Sequence, residues 1–212
     1  MKTLLFVLIA LMALAPTTAH ATPITYTAVL NGPSEAPPNA SPGTGFATVI
    51  FDDTAFTLEV IASFQGLVGL TSASHIHCCT SSPGTGTAGV ATVVPAFPGF
   101  PFNVMSGNLD TILNLLSASA YNPAFVTANG SSVALAELAL TNGLAAGDAY
   151  FNIHTSTFPG GEIRGFLQPA QATPVPEPGT MSLIGIGALF AARAIPERWR
   201  AARRRRSGDR LV

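Results

Sequence analysis

The chain has 212 residues, of which 48% are hydrophobic and only 10% are charged. This composition excludes an intrinsically disordered chain, because disorder goes with low hydrophobicity and high net charge. Nine of the ten basic residues lie in the two terminal segments, and residues 22–174 carry eight acidic residues against a single base, Arg164. So acidic a body excludes nucleic-acid binding through phosphate contacts, which need clustered lysine and arginine.

The N-terminal segment, residues 1–21, has the features of a secretory signal peptide. Lys2 precedes an apolar run over residues 4–15, and the segment ends in the small-residue pattern Ala19-His20-Ala21. The apolar run has 12 residues and would extend ~18 Å as a helix, which is too short for a hydrocarbon core of ~30 Å. We therefore predict export through the Sec machinery and cleavage after Ala21, with Ala19 and Ala21 as the small residues of the cleavage site.

Residues 22–170 are predicted to form one domain made mostly of β-strands. Short runs rich in β-branched and aromatic residues alternate with Gly, Pro and Asn, as strands alternate with turns. A hairpin is predicted around Asp52-Asp53-Thr54. Its second strand would place Phe56, Leu58, Val60 and Ala62 on one face. The predicted strands are residues 24–30, 45–51, 55–64, 73–78, 89–94, 111–116, 149–155 and 161–167.

One segment of the body has helical spacing instead. Its apolar residues recur every three or four positions from Val133 to Leu144, after Ser131 or Ser132, either of which can cap a helix. Asn142-Gly143 predicts that this helix stops at residue 142. Strands with one or two short helical insertions predict an all-β fold, either an antiparallel β-sandwich or a closed Greek-key barrel. An α/β fold is disfavoured, because the sequence shows no repeat of strand and long helix, no Gly-rich phosphate loop and no Gly-x-Ser-x-Gly elbow. A hydrolase is disfavoured, because no Ser/His/Asp pattern has supporting local context.

The densest chemical cluster is His75-Ile76-His77-Cys78-Cys79. On a strand, His75 and His77 project from the same face with Cβ atoms ~7 Å apart. A third histidine, His154, lies in another predicted strand, and three converging imidazoles suit Cu or Zn. The alternative is a structural role, in which the histidines hydrogen-bond the backbone and each other. In both cases we expect His154 to lie within ~10 Å of the pair, because isolated buried imidazoles are costly.

Cys78 and Cys79 are the only cysteines, and an exported protein meets an oxidising compartment. Four fates are open to adjacent cysteines: a vicinal disulfide, free thiols, metal ligation or links to another chain. We favour the vicinal disulfide. If the strand continued regularly, only Cys79 would share the face of His75 and His77.

The segment Pro159-Gly160-Gly161-Glu162-Ile163-Arg164-Gly165 holds the only base of the body. Glu162 and Arg164 are two residues apart and would share one face of a strand. We expect Arg164 to bond a carboxylate in bidentate fashion or to bond backbone carbonyls, a structural role, with ligand anchoring as the alternative. Both residues are also expected near the histidines, where they would orient the ring nitrogens.

The C-terminal end has three parts in a fixed order. A Pro-rich linker, residues 171–178, contains Pro176-Glu177-Pro178, and residues 179–212 hold an apolar stretch followed by an arginine-rich end. The 17 residues from Gly179 to Ile195 measure ~26 Å as a transmembrane helix, which just spans a bilayer. The arginines would stay on the cytoplasmic side, so the body would face outward.

This tail resembles the PEP-CTERM sorting signal of Gram-negative bacteria, whose motif Val175-Pro176-Glu177-Pro178-Gly179-Thr180 fits at every position. The resemblance implies exosortase as a processing partner and a transient anchor in the inner membrane. It also implies cleavage near Pro176-Glu177-Pro178 and a mature form at the cell surface or in the exopolysaccharide matrix. An anchor that is never cut is the alternative.

The body resembles the CHRD family, the domain first recognised in chordin, through Ser74-His75-Ile76-His77, Tyr150-Phe151-Asn152-Ile153-His154-Thr155 and the segment 159–165. This resemblance covers residues 24–167 and implies an extracellular β-rich module without established catalytic activity. We therefore expect a protein that is not an enzyme, has no cofactor, and has exopolysaccharide or envelope proteins as partners. The alternative is a periplasmic or extracellular Cu- or Zn-binding or redox protein that uses the His-x-His site.

Overall fold

A computed structural model describes residues 22–170, which form a compact unit of their own. The predicted signal peptide, the Pro-rich motif and the C-terminal apolar helix lie outside these residues. Within them, no helix is both long and apolar enough to cross a membrane.

Eight strands form one antiparallel sheet in the order β4-β6-β7-β1-β2-β3-β5, and the short β8 pairs with β1. The strands are β1 (Ile24–Asn31), β2 (Thr44–Asp52), β3 (Thr57–Gln65), β4 (Thr71–His77), β5 (Gly107–Asn114), β6 (Tyr150–Thr155), β7 (Ile163–Phe166) and β8 (Gln168–Pro169). The all-β prediction is thus confirmed in its coarse form.

The hairpin predicted around Asp52 joins β2 to β3. The Asp52 side chain accepts hydrogen bonds from the backbone N–H groups of Thr54 and Ala55, at 2.9 and 2.8 Å, and so fixes the turn. Leu58, Val60 and Ala62 share the buried face, as predicted. Phe56 does not, because it lies in the turn with φ of 52° and is 38% exposed.

The sheet curls but its two edge strands, β4 and β5, are not paired in the described part of the chain. The loop before β5 bonds to the start of β4, where Asn103 N–H donates to Thr71 O at 3.0 Å and Thr71 N–H donates to Val104 O at 2.9 Å. The curled antiparallel sheet agrees with the coarse fold prediction, and the choice between a β-sandwich and a closed Greek-key barrel stays a prediction. The 29 residues between β4 and β5 form loops and isolated bridges rather than a further strand of the sheet.

Two helices pack onto the sheet: α1 (Pro123–Ala128) and α2 (Val133–Ala146). Ser132 caps α2, as one of the two predicted alternatives, by accepting from Leu135 N–H at 3.4 Å. The predicted stop at Asn142 is wrong, because α2 continues to Ala146 and ends at Gly147 in the left-handed conformation, φ 75°. Two single 3-10 turns occupy residues 32–34 and 118–120.

The predicted strand at 89–94 is not formed. This segment makes only isolated bridges, between Val90 and His77 and between Thr92 and Tyr121. Its backbone bonds go to different neighbours, from Ala91 N–H to Ile76 O and from Val93 N–H to Ala120 O, so it pairs with no single strand. The strand predicted at 111–116 begins earlier, at Gly107, and ends at Asn114.

The sheet separates an apolar side from a polar side over β4, β6 and β7. Ile76, Phe151, Ile153 and Ile163 belong to the hydrophobic core. The alternate residues follow one another across the strands in register, with His75 opposite Asn152 and Asn152 opposite Arg164. This second set is the polar face that carries the candidate site.

Candidate functional site

The three body histidines come together on the polar face. His75 Nδ1 lies 3.4 Å from His154 Nε2, and the three residues offer ring nitrogens that all lie within 4.8 Å of one another. His154 is not directly opposite His75 but two pairs further along, opposite Ala73. The expected proximity of His154 to the pair is therefore confirmed.

Backbone carbonyls fix the proton positions on two of the rings. His77 Nδ1 lies 2.9 Å from Ala88 O, and His154 Nδ1 lies 2.8 Å from Pro159 O. A carbonyl only accepts, so Nδ1 carries the proton in both rings and Nε2 is unprotonated, and the Nε2 of His154 faces His75 Nδ1. The Nε2 atoms of His75 and His77 are buried and have no hydrogen-bond partner within the described residues.

The histidines are neutral at physiological pH. Burial lowers the pKa of His75 and of His77 to about 4, and the charges of the neighbouring histidines contribute to the lowering at His75. Burial also lowers the pKa of His154. Neutral imidazole is the form that ligates metal ions, so this cluster needs no proton loss before it can bind one.

Tyr150 connects the histidines to Arg164. Its ring stacks on His77 with centroids 4.7 Å apart and planes 7° from parallel. The Arg164 guanidinium lies 4.7 Å from the centre of the same ring, a distance at which cation–π attraction is significant. The Tyr150 hydroxyl donates to Ala88 O at 3.2 Å, so Ala88 is held by both His77 and Tyr150.

Arg164 holds loops rather than a bidentate carboxylate. It donates to the backbone carbonyls of Ser34 and, at 3.1 Å, of Gly86. Its contact with a carboxylate is a single one, with Glu35 Oε2 at 3.8 Å. Of the two structural arrangements expected from the sequence, the one with backbone carbonyls is present.

Glu35 is a buried residue of this face that sequence reasoning missed. Its carboxylate accepts from Asn152 Nδ2 at 3.0 Å and lines a cleft of about 380 Å³ formed by residues 35–39 and 157–161. Burial raises the pKa of Glu35 to about 7, although Arg164 and Asn152 oppose the rise. The sequence signal was the lone base of the body, which called for a carboxylate partner without saying which of the eight it was.

Glu162 does not lie with the histidines, contrary to the prediction. Strand β7 begins after it, at Ile163, so the alternation that would align Glu162 with Arg164 does not apply. Its carboxylate accepts from Ser41 Oγ, Thr155 Oγ1 and Val68 N, each at 2.6 Å, and from Gly69 N at 3.1 Å. Burial alone would raise the pKa of Glu162, but these four donors lower it overall.

Cys78 and Cys79 form a disulfide, the fate favoured from the sequence. Strand β4 ends at His77, so the alternation expected to turn Cys79 toward the histidines stops there. Both sulfurs pack instead against α2, where a Cβ on Gly143 would overlap each of them. The disulfide thus belongs to the interface with α2 rather than to the histidine cluster.

Two regions of the chain match known protein families. The CHRD domain model matches residues 26–167, and the PEP-CTERM protein-sorting motif matches residues 174–197. No curated protein and no solved structure matches the chain. The sorting motif marks an exported protein that is anchored in the membrane before exosortase processes it. The chain belongs to the CHRD family.

Proposed function

We propose that this CHRD-family protein is a non-enzymatic component of the cell surface or the exopolysaccharide matrix, delivered there by removal of its C-terminal anchor. The observation that carries the proposal is the order of the two matched regions. The CHRD domain ends at residue 167 and the sorting motif begins at residue 174. Cleavage near Pro176-Glu177-Pro178 would therefore release an intact domain.

The charges of the domain support a structural or binding role. Glu162 and Arg164, the charged pair of segment 159–165, hold loops in place. They do so through hydrogen bonds to residues 34, 41, 68, 69 and 86. After cleavage the mature protein would lose most of the basic residues, and its acidic body would favour partners that are neutral or positively charged.

Intact-mass measurement of the secreted protein tests this proposal. We expect a mature form that begins after Ala21 and lacks everything beyond about Glu177. A variant with Pro176, Glu177 and Pro178 all changed to alanine should stay in the membrane fraction at its longer mass. Peptides containing Trp199 outside the cell would contradict the proposal.

A second function, binding of Cu or Zn at His75, His77 and His154, is favoured by one specific observation. Two of the rings are held by carbonyls at Nδ1, which leaves Nε2 unprotonated, as in metal sites whose histidines are oriented by outer hydrogen bonds. Three nitrogens at ~2.0 Å from one ion lie ~3.3 Å apart. Nitrogens already within 4.8 Å of each other need only small side-chain rotations to reach that spacing.

Metal analysis of the domain comprising residues 22–170 tests the second function. We expect one equivalent of Cu or Zn, lost in His75→Ala. Tyr150→Phe is the matched control, because it removes the hydroxyl bonded to Ala88 and leaves the three rings in place. Less than stoichiometric metal in the unaltered domain would mean that the histidines have only a structural role.

A further inference from the structure

The Cys78–Cys79 disulfide is accessible from one side. Cys79 is exposed, whereas Cys78 is 4% exposed. The pair lies at one wall of a cavity of about 560 Å³, whose other walls include Val90, Phe125 and Ala139. An incoming thiol can therefore reach the Cys79 sulfur without prior unfolding.

Helix α2 leaves the disulfide no room to open in place. The backbone of Gly143 lies directly on both sulfurs, since a single added Cβ would overlap each of them. Bonded sulfurs are about 2.05 Å apart, whereas two thiols need a separation above about 3.5 Å. Reduction must therefore move either α2 or the chain at the end of β4.

The end of β4 is shared with the histidine cluster. Cys78 N–H donates to Gly89 O at 3.1 Å, and the preceding residue, His77, is bonded through Nδ1 to Ala88 O at 2.9 Å. His77 at the end of β4 and Cys78 directly after it thus hold two successive residues of one loop, Ala88 and Gly89. A displacement of Cys78 changes the loop that orients the His77 ring.

We propose that Cys78–Cys79 is a thiol-exchange site, opened by a dithiol partner in the exported compartment, and that its redox state sets the geometry of the three-histidine cluster. The part of the inference that concerns metal affinity rests on the proposed metal site. The part that concerns exchange and the movement of α2 stands without it.

The exchange balances as a two-electron transfer. A partner thiolate attacks Cys79 Sγ and forms a mixed disulfide, while Cys78 leaves as a thiolate and takes up a proton. The second thiol of the partner then attacks the partner's sulfur in the mixed disulfide. This step forms the partner's disulfide and releases Cys79 as a thiol. The partner ends oxidised to a disulfide, and the protein ends with two thiols.

Amide hydrogen exchange of residues 22–170, measured with and without dithiothreitol as the reducing dithiol, tests the first part. We expect two titratable thiols after treatment, a retained β-sheet, and exchange of the α2 amides that is faster by on the order of tenfold. A variant with Cys78→Ser and Cys79→Ser should show the faster exchange without reductant. Leu138→Ala, at an exposed position of α2, is the control that should leave the thiol count and redox response unchanged. Equal α2 exchange in both redox states, or a disulfide reduced only after global unfolding, would overturn the proposal.

Zn²⁺ titration of the two redox states tests the second part. We expect the reduced form to bind Zn²⁺ roughly tenfold more weakly, and by reciprocity bound Zn²⁺ should make the disulfide harder to reduce by the same factor. Equal affinities would overturn the coupling. Absence of Zn²⁺ binding in both states would defeat the proposed metal site, and the coupling would then be decided by whether the His77 ring resonances change on reduction.

Discussion

Glu35 shows how a buried carboxylate can oppose stability near neutral pH. Its folded pKa of about 7 is raised above the ordinary value of 4.5, so the folded state binds more protons than the unfolded state between these values. The contribution of Glu35 to stability is present below pH 4.5 and is lost as the pH rises through 7. The cost follows from burial, which the single contact with Arg164 offsets only in part.

Glu35→Gln is therefore expected to become more stable relative to the unaltered domain as the pH rises from 5 to 8, by up to roughly 3 kcal/mol. The amide keeps an acceptor for Asn152 and has no charge to bury. Urea unfolding at several pH values measures the effect. Asp53→Asn, which removes one charge from an exposed turn, separates burial from net charge. If the stability difference between Glu35→Gln and the unaltered domain does not vary with pH, the carboxyl of Glu35 does not titrate in this range.

Glu162 differs from Glu35 in that its ionised form is stabilised. Its carboxylate is fully buried but accepts four hydrogen bonds. Glu162→Gln turns one acceptor into a donor that faces other donors. We expect it to destabilise the domain by on the order of 3 kcal/mol, measured by urea unfolding at pH 7. Since the folded pKa is lowered, the penalty should shrink as the pH falls below 4.5. A change below roughly 0.5 kcal/mol, the usual scatter of surface substitutions, would contradict this account.

At this scale the sequence predicted the histidine cluster but only half of its surroundings. On any β-strand, residues two apart share a face, which places His75 and His77 together, and the cost of burying imidazoles predicts that His154 joins them. Glu35 and Glu162 depend on long-range contacts, over 117 residues to Asn152 and 121 residues to Ser41. Local spacing carries no information about such contacts, which is why one residue was missed and the other was misplaced.

Gly143 shows how an element can override a local signal. Asn-Gly is a common helix stop, yet α2 continues through it because Gly143 is the position that meets the disulfide. Packing against two sulfurs needs a residue without a side chain, whatever the helix propensity of that residue. The strand at 89–94 failed for a related reason, since its backbone bonds go to Ile76 and Ala120 separately instead of to one neighbouring strand.

A pair of adjacent substitutions in α2 tests this reading. Alanine is a better helix former than either residue, by ~1 kcal/mol over glycine and ~0.5 kcal/mol over asparagine. Asn142→Ala, at an exposed position, should therefore be neutral or slightly stabilising. Gly143→Ala should be destabilising by about 1–3 kcal/mol, because the new methyl overlaps both sulfurs. Thermal unfolding of the two oxidised variants measures the contrast, and equal effects would show that the contact is not tight.

For the molecule as a whole, one sheet serves two purposes. Its apolar side gathers residues from all the long strands and from α2 into a single core. Over β4, β6 and β7 its other side carries three histidines, of which His75 and His77 are buried, together with a buried arginine and a buried glutamate. Loops cover this polar face through carbonyls at residues 34, 86, 88 and 159. The loops between strands thus complete the site, and this division of labour cannot be deduced from strand patterns alone.

The balance of these buried groups predicts how the domain responds to acid. His75 and His77 have folded pKa values of about 4 against an ordinary 6.5, so the unfolded state binds more protons and stability is lost as the pH falls from 6.5 toward 4. Each contributes on the order of 3 kcal/mol over that range. Glu35 acts in the opposite direction between 7 and 4.5, but it is one group against two, and His154 adds to the histidine side.

We therefore expect the urea midpoint of residues 22–170 to be highest near neutral pH and to fall between pH 6.5 and 4, by an amount equivalent to a few kcal/mol. His77→Asn is the informative variant, because an asparagine amide can still donate to Ala88 O but does not titrate. In this variant the loss of stability between pH 6.5 and 4 should be smaller by the contribution of one histidine. A midpoint that rises as the pH falls to 4 would mean that Glu35 outweighs the histidines, and that the three rings are solvated rather than buried as a neutral cluster.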